Sequence, residues 1–409
     1  MADDYFPTAE SEGGWISENP VKLGVNLHKL KEAVEFHDNS GYTRSYGGAL
    51  FVTYRGKVIA ESYVTGHKGG PQPWTKSTCN DVKSSTKSVF GTAVGVFLDE
   101  YSDRVSLETP LVGSAKEESL IPQIWDQPLT DKRKPLIRVK HVLSMTSGHA
   151  SEEPWLAPGK RIHYEGFTGA YQMYEYCFGW WHFPKIAGHH SLLFEPGREF
   201  NYSNFGLEQM ALAMRNVTGE MVGPYLYDRV LKAIGMPIGI RDNGYKEMVY
   251  ADAKEFNFSN TPGWGVGGSE GCNAYGSDRS LSPYGYNTVV GSTLRCSIRD
   301  FARLGYLWLN NGRWEDDQLV PEEWMKKATK RFIRPNGESN NYGYTFWVQD
   351  NLTNVPHDTY GSRGHNINDC YVIPSLRLVV ARQGNDNPNR SERDRFVETL
   401  LEKIVSAVD

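Results

Sequence analysis

Ser84 and Lys87 form an S-x-x-K step at the start of an apolar run, and this step predicts a serine nucleophile with an amine beside it. Apolar residues recur through the run at three- and four-residue spacing, which predicts an amphipathic helix over residues 86–101. Residues three apart on a helix are surface neighbours, so the amine can reach the hydroxyl, and the helix N-terminus favours the alkoxide formed on attack. Partial burial would disfavour the charged amine, and a lysine must be uncharged to act as a base.

A second polar step, Tyr202 and Asn204, follows the turn signal at 195–197 and precedes a helical pattern that begins at Leu207. A phenol flanked by a lysine can lose its proton near neutral pH, accept a proton from a serine and return it to a leaving group. An asparagine nearby supplies both a donor and an acceptor for orientation. Taken alone, the serine is also explained as a helix N-cap and the tyrosine as a packing residue, and both explanations stay open here.

Length and composition predict a globular protein that binds small molecules. The 409 residues are 39% hydrophobic and 12% aromatic, which is enough to bury a large core in one unit of two lobes. The net charge of −5 comes without a basic stripe, which argues against nucleic-acid and anionic-membrane partners. Residues 1–15 lack the pattern of a secretory signal, and no stretch of about eighteen apolar residues follows, so we expect a cytoplasmic protein.

Five scattered cysteines without a C-x-x-C step predict reduced thiols instead of a disulfide framework or a structural zinc site. His182 and the pair His189 and His190 have no H-E-x-x-H pattern around them, so we expect surface or packing histidines and no metal. No phosphate-binding or dinucleotide motif occurs in a strand-to-helix context, and no cofactor is expected.

The strand and helix patterns predict one sheet built from both ends of the chain. Strands are expected at 49–54, 57–63, 342–348, 369–373 and 376–382, and helices at 27–36, 139–145, 207–217, 298–309 and 391–407. Residues 1–101 and 312–409 are therefore interpreted as an α/β sheet lobe. Residues 102–311 are interpreted as an inserted, mostly helical lobe, with a ligand cleft between the two.

Residues 152–190 are too rich in aromatic side chains for an ordinary solvated loop. They either pack as core or form a lid over a pocket, because aromatic side chains bury large areas wherever they lie. If they form a lid, they would hold the apolar part of a substrate. The candidate substrate contacts are Trp155, Tyr171, Trp181 and Trp264.

The order and spacing of the motifs resemble the serine β-lactamase and penicillin-binding protein superfamily. The resemblance is to the class C-like branch with family VIII carboxylesterases, D-amino-acid peptidases and nylon-oligomer hydrolases. It runs from the S-x-x-K step through V-K-H-V-L-S-M-T-S-G at 139–148, the Y-x-N step and D-F-A-R at 300–303 to residues 360–374. It implies an α+β fold of the β-lactamase/transpeptidase type, in which an antiparallel sheet is flanked by terminal helices and carries a mostly helical inserted lobe.

The same resemblance assigns a role to each residue of the first two motifs. It implies Ser84 as the acyl-accepting nucleophile and Lys87 as its proton partner. It implies Tyr202 as general base and acid, with Asn204 orienting these groups. Together they imply a serine hydrolase that cleaves an amide or ester of a small molecule through an acyl-enzyme intermediate.

The third motif of the family falls at residues 362–364, Ser-Arg-Gly. The resemblance implies that the backbone N–H of His365 joins that of Ser84 as the oxyanion hole, and that Gly364 lets the substrate lie against the strand. Ser362 stands where the family usually has a cation, although Arg363 next to it offers a guanidinium as a substrate contact. This departure favours an amide or ester hydrolase over a β-lactamase.

Other functions also fit these patterns. A carboxylesterase or acyltransferase of the same fold, a D-amino-acid peptidase, a β-lactamase, and a binding protein acylated without turnover all remain open. Residues 267–271 also satisfy G-x-S-x-G, the nucleophile elbow of α/β-hydrolases, around Ser269. The glycine-rich surroundings of this motif are typical of a loop and not of the strand and helix that an elbow needs.

Overall fold

The longer strands among the described residues all belong to one sheet. The computed structural model describes residues 5–68, 73–126, 129, 131–149, 191–220, 222–236, 240–241, 245–246, 263–264, 290–291, 294–385 and 389–408. The strands within these residues are β1 (Gly48–Tyr54), β2 (Lys57–Val64), β3 (Asn80–Asp81), β4 (Ile240–Arg241), β5 (Tyr245–Lys246), β6 (Gly263–Trp264), β7 (Leu294–Cys296), β8 (Arg313–Trp314), β9 (Asp317–Gln318), β10 (Trp347–Val348), β11 (Tyr360–Gly364), β12 (Asn368–Ile373) and β13 (Leu378–Gly384).

Helices lie before, between and after these strands. They are α1 (Leu27–Asp38), α2 (Gly41–Tyr46), α3 (Thr86–Glu100), α4 (Val139–Leu143), α5 (Asn204–Thr218), α6 (Val222–Leu226), α7 (Ile298–Leu309), α8 (Glu322–Ala328) and α9 (Arg390–Val408). Two 3-10 turns matter for the site, Lys83–Ser85 and His365–Ile367. The helices and strands predicted from the sequence lie within a turn of their expected bounds, apart from the strand at 342–348.

Six strands form the main sheet in the order β10-β11-β12-β13-β1-β2, and every neighbouring pair is antiparallel. Arg55 and Gly56 join β1 to β2 with φ angles of 50° and 76°, which fit a two-residue hairpin turn. β13 pairs with β1 along its whole length, from Gly48 opposite Gly384 to Tyr54 opposite Leu378. The structure therefore confirms the prediction that one sheet is built from both ends of the chain.

Helices cover both faces of the sheet. Side chains alternate along each strand, so each strand contributes to a core on either face. On β1, Phe51 belongs to the core shared with α3 and α7, whereas Leu50 and Val52 belong to a second core shared with α1 and α9. α1 and α9 come from opposite ends of the chain and pack against each other. Terminal helices thus flank the antiparallel sheet, as the sequence predicts.

The helix α3 is buried on all sides, which corrects the expectation of a helix buried on one face. Its residues from Thr86 to Phe97 are all buried. Gly91 and Gly95 allow this enclosure, because a Cβ at Gly91 would overlap Thr345 and one at Gly95 would overlap Trp324. The indole Nε1 of Trp324 also donates to the Gly91 carbonyl oxygen at 2.8 Å. A helix that is buried around its whole circumference forms part of the core, here with buried polar residues, including Lys87, near its N-terminal end.

The helix α7 packs on the sheet, against β1, β12 and β13. Its buried Arg303 donates to the carbonyl oxygens of Pro7 at 2.8 Å and Ile234 at 3.1 Å, and forms an ion pair with Glu10 at 2.9 Å. The sequence grouped this helix with the inserted lobe, but its main packing partners are strands of the sheet. The division into two lobes otherwise stays a prediction.

The predicted strand at 342–348 is wrong except for its last two residues, which form β10. The aromatic side chains that suggest a strand pack separately into the core, and Thr345 has a left-handed φ of 67°. The backbone of Thr345 bonds to helices instead of a strand, since its N–H donates to Leu143 at 3.0 Å and its carbonyl oxygen accepts from Ser88 Oγ at 2.7 Å. Tertiary bonds override β propensity here.

Two further findings concern the chain as far as it is described. None of its helices combines the length and the apolar character needed to cross a membrane. Cys79, Cys296 and Cys370, the cysteines within the described residues, form no disulfide.

His141 in α4 makes the fold sensitive to acid. Its Nδ1 accepts from the backbone N–H of Arg138 at 3.1 Å, and burial, followed by the charges of Lys140 and Arg138, lowers the pKa of His141 to about 4. The unfolded state therefore binds more protons between this value and about 6.5, so the free energy of unfolding falls as the pH drops through that window.

We predict that His141→Asn, which keeps an acceptor for Arg138, removes about 3 kcal/mol of this acid-dependent loss. The measurement is urea unfolding across the window. His28→Asn is the control, because the His28 side chain is 85% exposed. Its free energy of unfolding should depend on pH as in the wild type. If the free energy of unfolding of His141→Asn fell with acid as steeply as that of the wild type, the prediction would be contradicted.

Candidate active site

Ser84 lies in a turn that is fixed before the helix begins. Lys83 has a left-handed φ of 53°, and its backbone N–H donates to Asp81 Oδ1 at 2.8 Å while its Nζ lies 2.9 Å from Asp81 Oδ2. Thr86 Oγ1 donates to the Lys83 carbonyl oxygen at 2.6 Å. The hydroxyl of half-buried Ser84 is thus presented next to the N-terminus of α3.

Lys87 is the centre of the site. Its side chain is buried, and its Nζ donates to Ser84 Oγ at 2.9 Å and to the carbonyl oxygen of Gly291 at 2.5 Å. The first bond follows from the helical spacing of the two residues. The second joins residues 204 positions apart in the chain, so only the tertiary structure creates it.

Tyr202 faces the same amine. Its ring centroid lies 4.8 Å from Lys87 Nζ, and the residue is 7% exposed. Trp347 stacks on the phenol ring at 6.1 Å with an interplanar angle of 22°, and Tyr342 packs edge-on against it at 6.3 Å. The structure therefore brings Ser84, Lys87 and Tyr202 together in one place.

The motif at 139–148 and the segment before α5 hold Tyr202 in position. The backbone N–H of Asn201 donates to the carbonyl oxygen of Met145 at 2.8 Å, and that of Gly197 donates to Thr146 at 2.7 Å. Asn204, the first residue of α5, packs directly on Gly291, where a Cβ would lie 2.9 Å from Asn204 Oδ1. Asn204 therefore contacts the residue whose carbonyl oxygen accepts from Lys87.

The end of β11 lies directly against the segment that leads to Ser84. A Cβ at Gly364 would overlap the carbonyl oxygen of Val82 and approach that of Asn368 to 2.7 Å. His365 follows at the start of a 3-10 turn, with its carbonyl oxygen accepting from Asn368 Nδ2 at 2.7 Å. The carbonyl oxygen of Asn368 accepts from Ser85 Oγ at 2.5 Å. These bonds tie together the two segments that carry the predicted oxyanion donors.

The guanidinium of Arg363 lies 5.7 Å from the ring centroid of Trp347, which stacks on Tyr202, and its contact with substrate stays a prediction. Ser362 lies opposite Cys370 on the face of α3 and α7, whereas Arg363 lies opposite Asp369 on the other face. The guanidinium donates to Asp394 of α9. Burial acts to lower the pKa of Arg363, but Tyr371, Asp369 and Asp394 outweigh it and raise that pKa, so the side chain stays charged.

A cavity of about 410 Å³ borders Trp347 on the same side of the sheet as α9. Aromatic Phe200 and Trp347 form part of its wall, and charged Arg363, Asp394 and Glu398 form another part. Because Trp347 also stacks on Tyr202, this cavity and the candidate site share a wall.

Three of the six predicted substrate contacts fall in parts of the chain that the structure does not describe. Trp155, Tyr171, Trp181 and the segment 152–190 lie outside the described residues, as does Ser269 of the rival motif. Trp264 lies in β6, where its backbone pairs with Leu294. Among the described residues, no group of three or more His, Cys, Asp or Glu side chains could hold a metal ion.

The sequence reading missed Glu208. This buried residue of α5 accepts, at Oε1, the backbone N–H groups of Val290 at 2.9 Å and Gly291 at 2.8 Å. The available signal was an acidic residue within an apolar helix, four positions after Asn204 and thus on the same helix face.

Comparison with known proteins now assigns the fold. The family profile described as Beta-lactamase matches residues 36–402. The chain belongs to this family. Proteins with the beta-lactamase fold are typically serine hydrolases. No curated protein matches the sequence.

Solved structures resemble the protein over most of its length. A penicillin-binding protein homologue from Caulobacter crescentus has 16% identity and a TM-score of 0.61, covering 96% of this chain and 98% of that one. A provisionally assigned 6-aminohexanoate-dimer hydrolase from Bacillus anthracis has 17% identity and a TM-score of 0.59, covering 99% and 89%. EstCE1, a hydrolase with promiscuous acyltransferase activity, has 14% identity and a TM-score of 0.60, covering 92% and 99%. At these identities the likeness establishes the fold, and the predicted fold class is confirmed.

We predict that Gly364→Ala disrupts the site, because its Cβ would collide with backbone atoms that cannot move aside. We expect kcat/KM on an activated ester to fall by about 100-fold or more, and the free energy of unfolding to fall by about 1–3 kcal/mol.

Gly41→Ala is the matched control for this glycine. No heavy atom outside its own chain neighbours lies within 4 Å of a Cβ built there, so stability should change by no more than about 1 kcal/mol and activity should persist. Wild-type activity in Gly364→Ala would show that the strand end does not constrain the site.

Proposed function

We propose that the protein is a serine hydrolase that cleaves a small-molecule amide or ester through an acyl-enzyme on Ser84. The observation that carries the proposal is the 2.9 Å bond from Lys87 Nζ to Ser84 Oγ beside the ring of Tyr202. The Ser84 hydroxyl and the Lys87 amine are close enough to exchange a proton directly, and the ring of Tyr202 beside the amine brings a phenol to the same site.

In the acylation step, Ser84 Oγ attacks the substrate carbonyl carbon while its proton passes to the base formed by Lys87 and Tyr202. The carbonyl oxygen becomes an oxyanion, which the backbone N–H groups of Ser84 and His365 would stabilise by a few kcal/mol each. Collapse of this intermediate breaks the bond to the leaving group. Tyr202 returns the proton to the departing nitrogen or oxygen.

In the deacylation step, a water molecule takes the place of the leaving group. Its proton passes to the same base as its oxygen attacks the carbonyl carbon of the acyl-enzyme. Collapse of this second tetrahedral intermediate breaks the bond between that carbon and Ser84 Oγ and releases the carboxylic acid, and the base returns the proton to Oγ, which regenerates the Ser84 hydroxyl. An alcohol in place of water would give acyl transfer by the same route. The acceptor therefore distinguishes a hydrolase from an acyltransferase.

A neutral amide or ester is the substrate class we favour. β11 presents Ser362, not a cation, on the face of α3, and Arg363 is held by Asp394 on the other face. A substrate carboxylate next to the scissile bond would find no charged side chain on that face of β11, which weakens the β-lactamase alternative. The similar structures include both a provisionally assigned amide-dimer hydrolase and an esterase-type hydrolase with acyltransferase activity, and both reactions, as well as a D-amino-acid peptidase, remain candidates.

We predict that Ser84→Ala abolishes activity on every substrate that the wild type cleaves in a panel of p-nitrophenyl esters, p-nitroanilides, linear amide oligomers and nitrocefin. Removing the nucleophile should lower kcat by about 10⁴-fold or more. Intact-protein and peptide mass spectrometry should find an acyl adduct on Ser84 of the wild type and none in the variant, although Ser85 remains.

Ser269→Ala is the control for the rival G-x-S-x-G motif and should keep wild-type activity. The panel also separates the alternatives, because an acylation burst without steady-state release would indicate a binding protein, and product formed only with an added alcohol would indicate an acyltransferase. Full activity in Ser84→Ala would refute the proposal.

We predict that Tyr202→Phe slows acylation by about 10²–10⁴-fold while the protein stays folded. One hydroxyl is lost from a ring that still packs against Trp347 and Tyr342. Pre-steady-state release of p-nitrophenol measures acylation, and circular dichroism measures folding.

Tyr342→Phe is a matched control from the same aromatic cluster. Burial, and next the charge of Tyr202, raise the pKa of Tyr342 well above its usual value, and its hydroxyl has no hydrogen-bond partner among the described residues. Its removal should leave acylation unchanged. If the two variants behave alike, Tyr202 is a packing residue.

A further inference from the structure

We infer that Glu208 is a positioning residue, which anchors the Gly291 carbonyl oxygen against the Lys87 amine. This inference rests on the proposed function, because it assigns Glu208 a role in the acylation of Ser84. It concerns the geometry of the amine and gives Glu208 no direct contact with substrate.

The anchoring bonds come from one carboxylate oxygen. Glu208 Oε1 accepts the N–H groups of two consecutive residues, Val290 at 2.9 Å and Gly291 at 2.8 Å. Glu208 is 1% exposed. A carboxylate taken out of water is costly unless it is hydrogen-bonded, so this side chain and the backbone at 290–291 stabilise each other.

The backbone segment that Glu208 holds contains the Gly291 carbonyl oxygen, to which the Lys87 amine donates. The Gly291 carbonyl oxygen accepts from Lys87 Nζ at 2.5 Å, while the same amine donates to Ser84 Oγ at 2.9 Å. With one donor directed at Gly291, the amine is held in the orientation that reaches the hydroxyl. A carbonyl oxygen that moved away would leave a buried amine free to adopt other rotamers.

One rigid element ties this anchor to the other polar groups of the site. Glu208 and Asn204 lie one turn apart on α5, and Tyr202 lies two residues before the helix begins. Asn204 packs on Gly291 from the same helix. α5 thus fixes Gly291 at two points and sets the position of Lys87 relative to Tyr202.

Glu208→Ala and Glu208→Gln test this role. The alanine variant removes the acceptor, and we expect acylation to slow by about 10- to 100-fold, with KM changed by no more than about threefold. The glutamine variant keeps a carbonyl oxygen that can accept both N–H groups, and its acylation rate should stay within about threefold of wild type. The readouts are the burst rate with a p-nitrophenyl ester and the yield of the Ser84 adduct.

Gly291→Ala perturbs the packing of Gly291 on α5 without changing Glu208. It therefore tests the inference even if Glu208→Ala does not fold. Its Cβ would lie 2.9 Å from Asn204 Oδ1, so the backbone must shift and acylation should slow. Gln209→Ala is the matched control, because Gln209 is also buried on α5 but bonds to His149 at 2.8 Å. It should lower stability and leave the burst rate unchanged.

Several outcomes would overturn the inference. A wild-type burst rate in Glu208→Ala or Gly291→Ala would show that the anchor does not matter. A glutamine variant as slow as the alanine variant would show that the charge matters and not the anchored geometry. Failure of the proposed function looks different, because Ser84→Ala would then stay active or the wild type would carry no Ser84 adduct.

Discussion

One buried amine organises the candidate site, and it donates to two acceptors among the described residues. Lys87 Nζ donates to Ser84 Oγ at 2.9 Å and to the Gly291 carbonyl oxygen at 2.5 Å, and the side chain is almost fully enclosed. An amine taken out of water is unfavourable unless its donors are satisfied, so both acceptors must be held firmly. This requirement explains why three separate chain segments converge on the start of α3.

The enclosure comes from the helix that carries the amine. α3 is buried around its circumference, which is possible because Gly91 and Gly95 let Thr345 and Trp324 approach its backbone. At its N-terminal end, Gly364 allows β11 to lie against Val82. Interiors packed to crystal-like density transmit small shifts, so glycines that are remote in sequence determine whether the site keeps its geometry.

Charge is distributed so that the sheet separates two environments. On the α9 face, Arg363 and Asp394 satisfy each other, and Asp369 also forms an ion pair with Arg393 at 2.7 Å. On the α3 face, β11 presents the small Ser362. The α3 face of β11 is therefore uncharged, and the opposite face has a structural role in docking the last helix.

Local spacing in the sequence is enough to predict the serine and amine one helical turn apart, the hairpin at Arg55, and the terminal strands and helices. These follow from backbone periodicity, which any chain with this pattern would share. Long-range contacts decide instead that Glu208 bonds to the backbone beside the partner of Lys87, that Arg363 pairs with Asp394, and that residues 342–346 form no strand. Those outcomes depend on contacts between residues far apart in the chain, where packing and hydrogen-bond satisfaction outweigh local preference.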